Sequence, residues 1–315
     1  MKQVTGYIVV GKYKFLGFHS VRIESSWENF TDRASLSISR VSRLKTRTQE
    51  SYTLMKRGDK VEIWLGFNHI NEKKFTGYIT SITPRSDMVQ IECEDEMYQL
   101  KKNPITKSYK SVSLSQLLRD IQPYPVDAEN VELGRFRINH ATPIKVLEEL
   151  RNQYGFYSWF RDGVLYSGFA YKPELSKRHV FQFGANILDD DTLTYSDNEA
   201  IPIQVHAVSV QRDNTRIEID YPKEVEEADK RTLYVYNVGE AALQVAAKAF
   251  AEKARYNGFT GGFQSFGGDC RHGDVAVLQD PLHQDRNGAY LIRAVTTTSG
   301  VNGYFMDIQL HQRVK

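Results

Sequence analysis

The chain has 315 residues, of which 41% are hydrophobic and 25% charged, with 41 Lys plus Arg against 39 Asp plus Glu. This composition excludes wholesale disorder, and a formal net charge of +2 lacks the basic excess of a dedicated nucleic-acid binder. The length suits two or three domains, and two cysteines without CxxC spacing, Cys93 and Cys270, exclude a disulfide framework or a sequence-local zinc site.

The amino terminus enters a strand-like run without an apolar signal core, and no apolar stretch approaches transmembrane length. The expectation is a protein made and folded in the cytoplasm. Short alternating runs follow through residue 93: Tyr7–Val10, Val21–Ile23, Ala34–Ile38, Lys60–Phe67, Phe75–Ile82 and Val89–Cys93. Period-two alternation in runs of this length marks half-buried strands of a small barrel or sandwich. Asn103-Pro104 and the polar stretch to Ser111 read as a boundary with a solvated linker.

From Ser113 the period changes. Leu114, Leu117, Leu118 and Ile121 fall at helical spacing behind a Ser113/Gln116 capping box, and Pro123 and Pro125 end the helix. A second helix has Thr142 as cap, Pro143 in its first turn, and Gly155 as its stop. Phe156–Phe160, the turn Arg161-Asp162-Gly163, and Val164–Gly168 form a hairpin. Strands resume at Val180–Phe183, Thr192–Tyr195, Ile203–Val210 and Thr215–Ile219. An acidic loop runs from Tyr221 to Lys230, and an Ala-rich helix from Glu240 to Tyr256.

One pattern occurs twice. Arg57-Gly58-Asp59-Lys60-Val61, closing at Gly77-Tyr78-Ile79, is echoed by His272-Gly273-Asp274-Val275-Ala276, closing at Gly288-Ala289-Tyr290-Leu291. In both, Gly58-Asp59 and Gly273-Asp274 read as a turn that starts a strand, with Gly supplying an unusual backbone angle and Asp bonding locally. The echo also turns Arg57-Gly58-Asp59 from an adhesion tripeptide into a structural turn. The expected architecture is α+β but mostly β: a small β-barrel or sandwich over 1–103, a small α/β unit over 104–171, and a second such β module with the helix over 172–315.

Sites for chemistry are not evident. Glu92, Glu94, Asp95 and Glu96 read as a solvated strand edge and turn, and Asp189, Asp190 and Asp191 as a turn or cap. The eight histidines form no HxxxH or HExxH pair, GxSxG is missing, and the glycines from Gly258 to Gly268 follow a helix, the wrong order for a phosphate cradle. Cys93 reads as a small buried hydrophobe. Lys107, Tyr109 and Lys110 read as linker rather than nucleic-acid contact. No catalytic residue, cofactor, metal or small-molecule substrate is assigned, and the chain is read as a non-enzyme. Arg43, Lys45 and Arg47 in a basic stretch, and Glu224, Glu226 and Glu227 in an acidic one, are the candidate partner contacts.

The ordered set Tyr13–Ile23, Asp32–Ile38, Arg57–Ile63, Leu114–Leu118, Thr142–Leu150, His272–Val275 and Asn287–Ile292 resembles bacteriophage tail-hub proteins of the late-control type, related to the hub part of type VI secretion spike proteins. The resemblance implies a homotrimeric ring in a phage tail or phage-like particle. Two barrels per subunit would give pseudo-six-fold symmetry, joining a hexameric tail tube to a separate trimeric spike around a channel for the tape-measure protein. The alternatives left open are a cell-wall hydrolase and a sugar- or nucleic-acid-binding barrel.

Overall fold

The structure is a computed structural model, and it describes residues 3–44, 47–169, 176–197, 202–225, 228–254 and 257–314. The first stretch contains β1 (Val4–Val10), β2 (Tyr13–Phe15), β3 (Ser20–Ser26), β4 (Arg33–Ser39), β5 (Val41–Leu44), β6 (Arg47–Glu50), β7 (Lys60–Phe67), β8 (Ile70–Pro84), β9 (Met88–Glu94) and α1 (Met97–Leu100). The alternation works as the period requires. Ala34, Leu36 and Ile38 of β4, and Val89, Ile91 and Cys93 of β9, enter one core with Val61, Ile63 and Leu65 of β7.

The middle stretch contains β10 (Ile105–Ser113), α2 (Leu114–Ile121), β11 (Val126–Ala128), β12 (Glu132–Ala141), α3 (Pro143–Tyr154), β13 (Tyr157–Arg161) and β14 (Val164–Gly168). The polar stretch after Pro104 is therefore a strand, not a linker: β10 pairs antiparallel with β12, and Lys107 and Tyr109 bond Asp120 at the end of α2. Ser113 accepts the Gln116 amide at 3.3 Å, and Gly155 closes α3 at φ 71°. Leu114, Leu117, Leu118, Leu147 and Leu150 are fully buried together, each contributing about 1.5–3 kcal/mol. Asp162 and Gly163, both at positive φ, make the tight hairpin turn.

The last stretch contains β15 (Arg178–Gln182), β16 (Ile187–Asp189), β17 (Thr194–Asp197), β18 (Ile203–Val210), β19 (Arg216–Tyr221), β20 (Asp229–Tyr236), α4 (Glu240–Ala254), β21 (Asn257–Thr260), β22 (Gly262–Phe266), β23 (Val275–Gln279), β24 (Gly288–Gly300) and β25 (Gly303–Val314). The order β19-β18-β20 forms a separate sheet, which Leu243, Ala247, Ala251 and Ala254 of α4 cover. The far end of β18 reaches the middle core through Val208 and Val210. The fold is mostly β with four α-helices among the described residues.

The repeat is visible in sheet order. β7-β8-β9-β4-β3 in the first stretch recurs as β23-β24-β25-β22-β16 in the last, antiparallel throughout. The copies diverge outside this set, where β1 runs antiparallel to β7 but β15 runs parallel to β23.

Candidate assembly interface

The Gly-Asp turns match hydrogen bond for hydrogen bond. Gly58 lies at φ 87° and Gly273 at φ 81°, a region that only glycine enters cheaply. The Gly58 amide donates to Ile79 O and the Ile79 amide to Asp59 O; the Gly273 amide donates to Ile292 O and the Ile292 amide to Asp274 O. The Asp59 carboxylate accepts the Lys56 amide at 2.9 Å, and that of Asp274 accepts the Arg271 amide at 3.1 Å. The adhesion reading of Arg57-Gly58-Asp59 has no place here, because Asp59 is spent within its own turn.

These bonds make Ile79 equivalent to Ile292, so Gly77 corresponds to Tyr290 rather than to Gly288. Gly77 faces Val61, and a Cβ there would run into Glu94 O; Gly288 lies opposite Leu278, at the far end of its strand. Only Asp274 has a second partner, His179 Nε2 at 2.9 Å, and its side chain is 6% exposed. Asp274→Ala should therefore cost about 2–3 kcal/mol and Asp59→Ala about 1 kcal/mol, compared in urea titrations. Equal losses would show that the second partner contributes nothing.

Equivalence extends across the sheet. The cross-strand row Leu36–Ile91–Ile82 of the first copy recurs as Phe263–Ile308–Val295 in the second. The two copies are then joined directly, since the outer edge of β24 pairs antiparallel with β3 from Ala294↔Ser26 to Gly300↔Ser20. One sheet thus runs through both. The corresponding edge of β8 beyond Ile79 has only β9 as a neighbour, and β16 and β17, which occupy the place of β3 in the second copy, pair only with β22 and β21, among the described residues.

The middle unit is pinned to the second turn. Arg161 donates to His272 O, and Arg271 forms a two-oxygen contact with Asp162 at 3.0 and 3.2 Å. Arg151 donates to Glu28 O at 2.6 Å and lies over the Phe30 and Tyr157 rings, which fastens α3 to the β3–β4 loop.

Beneath this contact Asp32 and Asp95 meet. The Asp95 carboxylate accepts the Asp32 and Met97 amides, while that of Asp32 accepts Ser25 Oγ at 2.5 Å and the Ser26 amide at 3.2 Å. Burial pushes Asp32 up to about 7 and raises Asp95 well above the carboxylate range, and it keeps His272, 4.0 Å from Asp32, neutral. Asp95 is thus a buried joint, where the sequence suggested a solvated turn. The adjoining cleft of about 270 Å³ is lined by five cationic side chains and five carboxyl groups, of which burial holds Asp32 and Asp95 toward the protonated form.

The other candidates are dispersed. Arg43 and Glu224 are exposed; Lys45, Glu226 and Glu227 lie outside the described residues, and Arg47 lies on β6. Glu94 pairs with Lys101 at 2.6 Å, Glu92 accepts Ser35 Oγ at 2.9 Å, and Asp189 accepts the Asp191 amide in an exposed turn. Cys93 and Cys270 are buried, which raises both thiols. No helix of the described residues is long and apolar enough to cross a membrane.

This arrangement of two joined β modules around an α/β unit is the fold of bacteriophage tail proteins, matched over nearly the whole chain. A tail protein from Neisseria meningitidis superposes with a TM-score of 0.65 at 17% identity, covering 99% of this chain and 97% of that one. The 43 kDa tail protein of prophage MuSo2 from Shewanella oneidensis gives 0.64 at 13% identity, covering 98% of each chain. An E. coli type VI secretion component, described as similar to the phage T4 tail proteins gp27 and gp5, gives 0.57 at 10% identity, covering 98% of this chain and 75% of that one. No protein-family model matches the sequence, and no curated protein matches it.

Proposed function

We propose that the chain is a non-catalytic hub of a phage tail or phage-like injection machine, a homotrimeric ring that joins a hexameric tail tube to a trimeric spike. The observation that carries this reading is the β3·β24 joint, which places two equivalent modules edge to edge in one sheet. Three chains then supply six near-equivalent edges to a six-fold neighbour and three whole subunits to a three-fold one. In this reading 1–103 and 172–315 each contribute a tube-like barrel, 104–171 lies between them, and β18–β20 with α4 are carried by the second. The tube protein, the spike and a tape-measure protein in the channel are the partners, and the assembled virion or particle is the location. The full-length match to tail proteins, and the likeness to a type VI component, support it. Light scattering on the purified chain should give a mass three times 36.2 kDa. A monomer at every concentration would count against the ring.

A further inference from the structure

The internal joint specifies which surfaces should meet between copies. Gln309 faces Gly262 as Glu92 faces Ser35, so Thr260 stands where Arg33 stands, and its partner Thr194 stands where Glu24 stands. By the same counting Tyr195 takes the place of Ser25. On the receiving side Val295 is equivalent to Ile82 and Thr296 to Thr83, and inside the chain Val295 lies opposite Ser25 and Thr296 opposite Glu24.

We propose that the outer edge of β8 from Ser81 to Pro84 receives β17 of a second copy of this chain, antiparallel, with Ile82 opposite Tyr195 and Thr83 opposite Thr194. The proposal rests on the ring reading and adds its register. Ser81, Pro84 and Arg85 are exposed, Ile82 and Thr83 half-buried, and on the other side Thr194 is exposed and Tyr195 half-buried. Neither edge has a ladder partner on that side among the described residues. Strand addition would satisfy their backbone groups, and Pro84, with no N–H to give, marks where the ladder ends.

Charge agrees with this register. Between β16 and β17 the chain leaves the strand in the exposed turn Asp190–Leu193, closed by the Leu193 amide on Asp190 O. The turn brings Asp190 and Asp191 beside Arg85 of the neighbour. Arg40 lies beside it, its guanidinium donating to Arg85 O at 2.9 Å but already paired with Glu50 at 3.0 Å, so Arg85 is the cation left for the neighbour's turn. Asp190 and Asp191 thus acquire a role as the counter-charge of an intermolecular joint.

Directly opposed antiparallel residues have Cα atoms about 4.5–5.5 Å apart, within the reach of a disulfide. Thr83→Cys combined with Thr194→Cys should oxidise to covalent dimers and closed trimers on a non-reducing gel, while each single variant stays uncrosslinked because the native Cys93 and Cys270 are buried. Arg85→Glu should weaken trimerisation at least tenfold with an unchanged urea midpoint, and adding Asp191→Lys should restore it. A trimer of correct mass that neither crosslinks at this pair nor responds to the charge exchange overturns the register and leaves the ring standing. A chain that stays monomeric overturns both.

Discussion

At pH 8 the Asp32→Asn variant should resist urea better than the wild type by about 2–4 kcal/mol, whereas near pH 4 the two should be nearly equal. Folded Asp32 holds its proton up to about pH 7, while in the unfolded chain an aspartate releases it near 3.9. Between those values the folded state binds more protons, so this group's contribution to stability falls as pH rises, reaching its full loss above the folded value. The main cause is burial, opposed by the bonds from Ser25 and Ser26 and by the charge of Arg161, and reinforced by Glu96. Asparagine keeps those geometries without a charge, because its amide can face Ser25 Oγ as donor.

The comparison between variant and wild type is needed because two histidines slope the other way. His272 is held neutral by burial, and His311 is pushed down to about 4, so both favour unfolding as pH falls below about 6.5. They cancel in the difference. A difference in stability that is the same at pH 5 and pH 8 would mean that Asp32 titrates normally, with its carboxyl solvated rather than enclosed between the three parts of the chain.

The second large effect is expected at Gly261. It lies at φ 92°, and a Cβ there would fall inside the contact distance of Thr192 O. Glycine at this point lets β21 and β22 run past the Asp190–Leu193 turn, so Gly261→Ala must either displace that turn or break the pairing of Gly261 O with the Leu310 amide. The cost should be about 3 kcal/mol or more, a strained backbone plus a backbone clash. Gly184→Ala is the control, with φ 73° but open space around it, and should cost only about 1 kcal/mol. Urea midpoints of the two variants decide; similar losses would remove the clash from the explanation. Since the displaced turn leads into β17, Gly261→Ala should also impair ring formation, and Gly184→Ala should not.

The sequence was most readable where a backbone angle or a period demanded particular residues. The Gly-Asp turns, the Asp162-Gly163 hairpin, the Thr142–Pro143 start and Gly155 stop of α3, and β18 from Ile203 to Val210 are all local. Less was visible where both faces of a strand are polar. β10 shows Thr106, Lys107, Ser108, Lys110 and Ser111 to solvent and so reads as linker, and β20 begins at Asp229 at the end of an acidic run. The repeat itself was misaligned at its return strand, because a shared Gly drew Gly77 onto Gly288 while the backbone bonds place Tyr290 there.

The contacts that assemble the halves were not readable at all. Asp32, Asp95, Arg161 and His272 come from four separate segments, and nothing in the spacing of any one announces the others. Asp95 sits in an acidic run that looks solvated, and only the fold encloses it. The same holds for the open edges. Ile82 and Thr194 look like ordinary strand residues until the internal β3·β24 joint shows what their counterparts do.

Electron microscopy of the purified chain, averaged without imposed symmetry, tests the central claim most directly. The expected particle is a ring of three subunits that looks six-lobed at low resolution and resolves into two alternating kinds of lobe at higher resolution. A particle with one module in the ring per chain, or a monomer with both edges free, would contradict it.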